Sequence, residues 1–133
     1  MSIDSVDAPG QLVNIPISIT NVRPVGLLYM QMSYDPLFLS FQGATRAPRV
    51  ADWDFFESVG TPNPDEIRIE GIANPMLPMQ PGSGPVGYLN FQIINTPPPG
   101  TFIPICFVFR DSTDNTMYDS SGILIGSNEI DYV

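Results

Sequence analysis

Short runs in which apolar and polar residues alternate recur along this chain, and segments rich in proline and glycine separate them. The clearest run covers residues 11–20, where Val13, Ile15, Ile17 and Ile19 are apolar and mostly polar residues stand between them. A period of two places the two sets on opposite faces of a pleated strand. No segment shows a comparable period of 3.6, so the pattern predicts an all-β protein.

The same reasoning predicts further strands along the chain. They lie at residues 3–6, 26–34, 37–43, 66–72, 86–94, 103–109, 123–125 and 130–133. Residues 52–57 fit a short strand or a helical turn, and residues 74–85 are expected to form a long surface loop. Pro16 cannot donate a ladder hydrogen bond, which indicates a sheet edge or a bulge. Short strands with frequent turns are typical of a sandwich or a partly open barrel, and we expect one domain over residues 1–133.

Two of these strands separate their residues most clearly into faces. In the first, one face carries Leu28, Met30, Met32 and Tyr34, and the other carries Leu27, Tyr29, Gln31 and Ser33. In the second, Ile67 and Ile69 oppose Arg68, Glu70 and Ile72. A register error of one residue would exchange the two faces of either strand.

The charge balance excludes one class of partner. The net charge is −9, with 14 acidic residues against five basic ones, and no lysine occurs. Such a chain repels phosphate backbones, so we expect no nucleic-acid partner. No run approaches the roughly 20 apolar residues of a membrane span, and acidic sequence follows Met1-Ser2 directly, so we expect neither a membrane span nor a signal peptide.

The residue inventory also argues against catalysis. The chain has no histidine, which removes the most common general base and metal ligand, and without lysine it has no Schiff-base chemistry. A carboxylate pair among Asp52, Asp54 and Glu57 is the remaining possibility, but a solvated acidic loop explains these residues as well. We therefore expect no enzyme activity. Cys106, the single cysteine, excludes an internal disulfide and is expected to be a buried apolar residue.

An oxygen-rich segment follows the run at 103–109. Calcium takes six to eight oxygen ligands, and the candidates here are Asp111, Asp114, Asn115 and Asp119. Their spacing does not match an EF-hand. Because Asp and Asn also favour turns by bonding their own backbone, we interpret the segment as an ordinary turn, with structural calcium as the alternative and no other cofactor expected.

An ordered series of short motifs resembles the cohesin family. Its first part runs from Gly10 through the strand at 13–21 and Gly26 to Ser33-Tyr34-Asp35-Pro36 and Leu39. Its second part consists of Ile67-Arg68-Ile69 with Gly71, and then the strand at 87–93. Each motif is short, but together they span nearly the whole chain in the family's order.

This resemblance implies a jelly-roll β-sandwich of about nine strands. It also implies a non-catalytic module of an extracellular or cell-surface assembly that binds a dockerin, a small helical calcium-bearing module, on one sheet face. The corresponding positions here are Leu27, Tyr29, Gln31, Arg68, Glu70 and Ile72. We expect Gln31, Arg68 and Glu70 to form a polar rim. Many cohesins have an Asp or Asn pair where Leu27 and Tyr29 stand, so this face is more apolar.

Two other functions fit an all-β chain of this kind. One is a carbohydrate-binding module that uses Trp53, Phe55, Phe56 and nearby tyrosines. Adjacent residues in a strand point to opposite faces, so Phe55 and Phe56 cannot both join Trp53 on one platform, and core packing is favoured for these rings. The other function is a structural or adhesion domain of a larger surface protein. Met76 and Met79 are expected in a loop folded onto the sandwich edge.

Overall fold

The computed structural model of the protein describes residues 9–61, 63–98, 100–109, 114–126 and 130–132. These residues form ten strands and one short 3-10 helix, Pro48–Val50. The strands are β1 (Leu12–Asn21), β2 (Leu27–Ser33), β3 (Leu39–Arg46), β4 (Phe55–Val59), β5 (Glu66–Ile72), β6 (Gly82–Ile93), β7 (Cys106–Phe107), β8 (Thr116–Tyr118), β9 (Leu124–Gly126) and β10 (Ile130–Tyr132). The strand predicted at 3–6 lies outside the described residues. Across the described ranges, no helix has the length and apolar character to cross a membrane.

The strands form two antiparallel sheets. The smaller sheet has the order β10-β1-β6-β3, and the larger has the order β4-β5-β2-β8-β9, with β7 paired to β2. Buried side chains from both sheets meet in one core, which includes Ile17, Leu89 and Phe91 from the smaller sheet and Leu28, Met30 and Ile69 from the larger. The protein is therefore an all-β jelly-roll sandwich, as the alternation and the resemblance both predict.

The predicted faces of β1 are those observed. Ile17 and Ile19 are buried, and Val13 and Ile15 pack against the core from the same side. Pro16 lies next to a bulge, because the β1–β6 register shifts between Ile17 and Ser18. The described residues of β10 pair only with Ile17–Ile19. The prediction of a bulge or an edge at Pro16 is confirmed.

The register of β2 against β5 is set by the buried side of each strand. Leu28, Met30 and Met32 of β2 lie opposite Gly71, Ile69 and Ile67 of β5, and all three β2 residues are inaccessible to solvent. A slip of β2 by one residue would expose these side chains, and a slip of β5 would bury Arg68 and Glu70, which strongly disfavours any other register.

Strand β6 corrects the prediction of a long loop over 74–85. It begins at Gly82, and its first residues pair with the end of β1, Ser83 with Thr20 and Gly82 with Asn21. Gly82 and Gly84 have φ values of 155° and 140°, which glycine adopts without strain. Glycine and proline at these positions are typical of a loop, but pairing with β1 places the residues from Gly82 onward in a strand.

The loop before β6 folds onto the sandwich edge at only one of its two methionines. Met79 is buried and bridged to Val25, whereas Met76 is exposed.

Two further predictions about strands were wrong. Strand β8 was missed because its three residues lie inside a segment dominated by turn formers, and its pairing partner β2 is distant in sequence. Of the strand expected at 103–109, only Cys106–Phe107 is observed as a strand. There Ile103 and Ile105 take the buried positions, and Cys106 therefore faces outward and is exposed rather than buried.

Arg49 ties the short 3-10 helix to the edges of β1 and β6. Its guanidinium donates hydrogen bonds to the carbonyl oxygens of Ile19 at 2.7 Å, Gly84 at 3.2 Å and Gln80 at 3.3 Å, and to Oδ1 of Asn21 at 2.6 Å. Partial burial lowers the pKa of Arg49 from its usual value because desolvation disfavours the charged form. These bonds hold the loop before β6 against the sandwich.

Trp53 and Phe56 fill space that two glycines leave in the core. Trp53 is 3% exposed, and its ring meets that of Phe56 edge to face with centroids 6.5 Å apart. A Cβ atom at Gly71 would lie 2.6 Å from Cζ3 of Trp53, and one at Gly87 would lie 2.7 Å from Cε1 of Phe56. The core-packing interpretation of these two rings is confirmed, and Trp53 is not available as an exposed sugar platform.

We predict that Gly71→Ala destabilises the protein, because the added methyl group would overlap the Trp53 ring. Overpacking of this kind costs about 1–3 kcal/mol. Gly60→Ala is the matched control: nothing lies within 4 Å of its added Cβ atom, so its unfolding free energy should change by less than about 0.5 kcal/mol or rise slightly. Urea unfolding of both variants measures the difference, and equal midpoints would contradict the packing described.

Candidate functional site

The six residues that the sequence singled out lie together on the outer surface of the larger sheet. Register pairs Leu27 with Ile72, Tyr29 with Glu70, and Gln31 with Arg68. Paired residues on neighbouring strands share a face, so all six point away from the core. We call this surface, formed by the outward residues of β4, β5, β2, β8 and β9, the large-sheet face. That the six residues bind a partner stays a prediction.

An apolar row crosses one end of the large-sheet face. Successive register pairs connect Phe55, Ile72, Leu27, Tyr118 and Leu124 across five strands. Ile72 is 45% exposed and Leu124 is 54% exposed, whereas the other three are half-buried. A hollow of about 190 Å³ lies beside this row and is lined by Leu27, Ile72 and Pro75, among others. A larger hollow, of about 370 Å³, lies elsewhere on the surface. The hollow beside the row provides a recess of suitable size for one aliphatic side chain.

Arg68 and Tyr29 form the centre of the face. The guanidinium carbon of Arg68 lies 5.1 Å from the centroid of the Tyr29 ring, within cation–π distance. Nε of Arg68 donates to Oε1 of Glu70 at 2.9 Å, and another guanidinium nitrogen lies 3.7 Å from Oδ1 of Asp114. Tyr118 packs its ring edge to face against Tyr29 at 6.1 Å. These contacts fix the position of the Tyr29 ring.

Gln31 is not part of the polar rim that we expected. It is only 7% exposed, because its amide is turned toward β5, where Nε2 donates to Oε2 of Glu66 at 3.1 Å. Its register position is outward and Glu66 lies on the same face, so the amide is engaged by a neighbouring side chain rather than presented to solvent. Arg68 and Glu70 keep 24% and 30% of their side chains exposed and form the polar part of the face.

Asn115 completes the edge of β2 where its neighbouring strands leave a gap. Strand β8 pairs with β2 up to Tyr29, and β7 resumes at Met32. Between them, the backbone N–H of Gln31 donates to Oδ1 of Asn115 at 2.8 Å, and Nδ2 of Asn115 donates to the carbonyl of Val108 at 2.8 Å. The carbonyl of Gln31 in turn accepts from the N–H of Val108 at 2.9 Å. One side chain thus replaces a missing stretch of strand.

The calcium candidates that the structure describes are engaged with protein groups. Asp114 lies beside Arg68, Asn115 bridges two backbone segments, and Asp119 accepts from the N–H groups of Ser121 and Ile123 at 2.9 and 3.0 Å. Asp111 lies outside the described residues. Over the described ranges, no three acidic or cysteine side chains cluster as metal ligands do.

The other candidate residues do not converge on one site. Asp52, Asp54 and Glu57 are exposed, while Trp53 between them is buried in the core. Phe55 and Phe56 point to opposite faces as expected: Phe56 is buried and Phe55 joins the apolar row. Sequence reasoning missed Tyr118 as part of the face. Thr116 and Tyr118 pair with outward residues of β2, and Met117 between them is buried. An alternation over only three residues is too short to distinguish a strand from a turn.

Solved structures of similar fold are cohesin modules. A type I cohesin of Clostridium thermocellum, solved in complex with a dockerin, has a TM-score of 0.72 and 16% identity, and the match covers 94% of this chain and 89% of that one. A type II cohesin from the cellulosome of Acetivibrio cellulolyticus has a TM-score of 0.64 and 17% identity, over 92% and 84% of the two chains. A non-cellulosomal cohesin of Archaeoglobus fulgidus has a TM-score of 0.60 and 20% identity, over 93% and 80%.

The fold of this chain is therefore that of cohesin modules. No protein-family model matches the sequence, and no curated protein sequence matches it. The structural likeness extends over nearly the whole chain at low identity, so it establishes the fold and confirms the architecture that the sequence motifs implied.

We predict that Asn115→Gly destabilises the protein although the backbone of residue 115, with φ of 54°, suits glycine. The change would leave the buried N–H of Gln31 and the carbonyl of Val108 without partners, and each such group costs about 1–3 kcal/mol. Asn95→Gly is the control, because the amide of Asn95 makes an exposed bond to the carbonyl of Leu37. Chemical denaturation should show a loss several times larger for Asn115→Gly. Equal losses would refute a bridging role for Asn115.

Proposed function

We propose that this protein is a non-catalytic recognition module that binds a dockerin-bearing protein through the large-sheet face, in an extracellular or cell-surface assembly. The observation that carries the proposal is the preformed cluster of Tyr29, Arg68 and Tyr118 beside the exposed apolar row, on a sandwich with the cohesin fold. Aromatic and arginine side chains are enriched among the residues that dominate interface energies. The neighbour from Clostridium thermocellum was itself solved with a dockerin bound.

The physical form of the face supports protein recognition more than small-molecule chemistry. The hollow at its edge is about 190 Å³, below the roughly 300–1,000 Å³ typical of small-molecule pockets. The face is instead a broad surface that carries Tyr29, Tyr118 and Arg68, and tyrosine and arginine are among the residue types enriched at protein interfaces. Because the side chains are already held by internal contacts, binding requires little reordering.

A pull-down from the secreted proteins of the source organism tests the proposal. The immobilised module is incubated with calcium or with a chelator, and captured proteins are identified by mass spectrometry. We expect proteins that carry a dockerin to be captured only with calcium, because the resemblance places the ion in the partner. The same module is applied to a glycan array. Glycan binding without any dockerin capture would overturn the proposal in favour of a carbohydrate-binding module.

We predict that Tyr29→Ala weakens binding of the captured dockerin by about 2 kcal/mol or more, as expected for a central aromatic residue of an interface. Tyr88→Ala is the matched control, since Tyr88 is half-buried on the outer side of the smaller sheet, opposite Pro16 and Thr45. Calorimetric titration of both variants measures the two affinities. An unchanged affinity in Tyr29→Ala, or an equal loss in Tyr88→Ala, would place the interface elsewhere.

A further inference from the structure

The larger hollow, of about 370 Å³, lies between the segment of the 3-10 helix and the loop before β6. Its volume falls within the roughly 300–1,000 Å³ that is typical of small-molecule sites. The helical segment contributes Arg49, Asp52 and Trp53 to its wall, and the loop contributes residues 76–81. None of these residues belongs to the outward rows of the large-sheet face, so the hollow is separate from the surface proposed for dockerin binding.

The indole of Trp53 brings an unpartnered hydrogen-bond donor to this hollow. The residue is 3% exposed, and among the described side chains its Nε1 is the one buried nitrogen or oxygen without a hydrogen-bond partner. The indole faces Gly71 with Cζ3 and Cε3, and Nε1 stands on the opposite edge of the ring. A buried N–H without an acceptor is costly and rare in native proteins, so an acceptor oxygen that enters the hollow would relieve this cost.

The charge of Arg49 is met by neutral oxygens only. Its two Nη atoms donate to three backbone carbonyls and to the amide oxygen of Asn21, which leaves the Nε–H without an acceptor among the described residues. No ion pair in the described part of the chain includes Arg49, although acidic residues outnumber basic ones by 14 to five. Neutral acceptors leave the net charge uncancelled, so this wall of the hollow has a positive potential.

The loop side of the hollow is largely apolar and carries no charge. The sequence has no charged residue from position 71 to position 109, so residues 76–81 add none to the wall. Met76 is 87% exposed and Leu77 is 52% exposed, and removal of such apolar surface from water by a ligand is favourable. Asp52 is the acidic residue of the lining and is exposed at the rim.

We propose that this hollow binds a small aliphatic carboxylate, with its carboxylate toward Arg49 and Trp53 and its aliphatic chain against Met76 and Leu77. An ionised carboxylate only accepts hydrogen bonds, so it matches a hollow whose unpartnered groups are N–H donors. It also supplies the negative charge that Arg49 lacks within the chain. Asp52 opposes an anion from the rim, which selects monocarboxylates over ligands with more negative charge. The site goes beyond the proposed function, because no dockerin takes part in it.

Three probes with the same aliphatic chain and different head groups test the proposal: hexanoate, hexanamide and hexylamine. Trp53 is the single tryptophan of the chain, so its indole N–H gives one isolated resonance in a proton–nitrogen correlation spectrum. We expect hexanoate to shift this resonance saturably, with a dissociation constant of about 1 mM, as suits a ligand of this size. Hexanamide should bind at least about fivefold more weakly, and hexylamine should not bind measurably.

The charge of the site is tested at its rim, because replacement of Arg49 would also break the bonds that hold the loop. Asp52→Asn should raise the affinity for hexanoate about three- to fivefold, since a negative charge near the carboxylate is removed. Glu57→Gln removes the same charge from an exposed position on the large-sheet face, and its affinity should stay within about 1.5-fold of that of the unmodified protein. The same spectral titration measures both variants.

The apolar contact has its own pair of variants. Leu77→Ala should lower the affinity for hexanoate about three- to fivefold, because the ligand then buries less apolar surface. Leu37→Ala is the matched control: Leu37 is 60% exposed and does not line the hollow, so the affinity should be unchanged within about 1.5-fold. Equal losses in the two variants would refute the placement of the aliphatic chain.

The outcomes are distinct from those for the proposed function. Tighter binding of hexylamine than of hexanoate, or weaker binding of hexanoate to Asp52→Asn, would show a cation site and overturn the proposal. Equal affinities for hexanoate and hexanamide would overturn it too, as would an indole resonance that none of the three probes moves. All of these titrations use the module alone, so their failure leaves the proposal of dockerin binding in place, and failure to capture a dockerin leaves this site in place.

Discussion

The face that we propose for binding depends on the burial of the opposite side of the same two strands. Leu28, Met30 and Met32 of β2 pack into the core against the rest of the sandwich, and their burial leaves one register for β2 against β5. Each fully buried side chain of this size contributes about 1.5–3 kcal/mol of transfer free energy. Because strand residues alternate, this apolar stabilisation also determines which residues point to solvent, so Tyr29 and Arg68 share a face.

The sheet edge beside that face is made rigid by hydrogen bonds rather than by continuous pairing. Asn115 takes the place of a strand residue next to Gln31, and the amide of Gln31 in turn bonds Glu66. Polar side chains in such buried positions stabilise only when they are satisfied, and the bond to Glu66 on the same face satisfies the amide of Gln31. The surface around Tyr29 is consequently formed before a partner binds, and this lowers the entropy lost on association.

The sequence was most informative where one strand has one buried face and one solvated face. The faces of β1, β2 and β5 could be read from alternation alone, and five of the six predicted site residues are accessible to solvent on the outer face as expected. Prediction failed where distant pairing decides local structure: Gly82 and Gly84 look like loop residues, and the three residues of β8 lie in a turn-rich segment. Cys106 was misplaced because hydrophobicity does not show which of two adjacent residues the fold will bury. Gln31 was misplaced because alternation does not show which outward side chains are covered and bonded by their neighbours.

The proposed function places binding on the large-sheet face, and chemical shift mapping tests that proposal most directly. Amide spectra of the isotope-labelled module are recorded while the unlabelled dockerin captured from the native secretome is added. The account predicts that the largest shifts fall on β2, β5 and β8, centred on Tyr29 and Arg68, while the outer side of β1 and β6 is unaffected. Shifts concentrated on β1 and β6, or on the loop around Met76, with the large-sheet face unchanged, would contradict it.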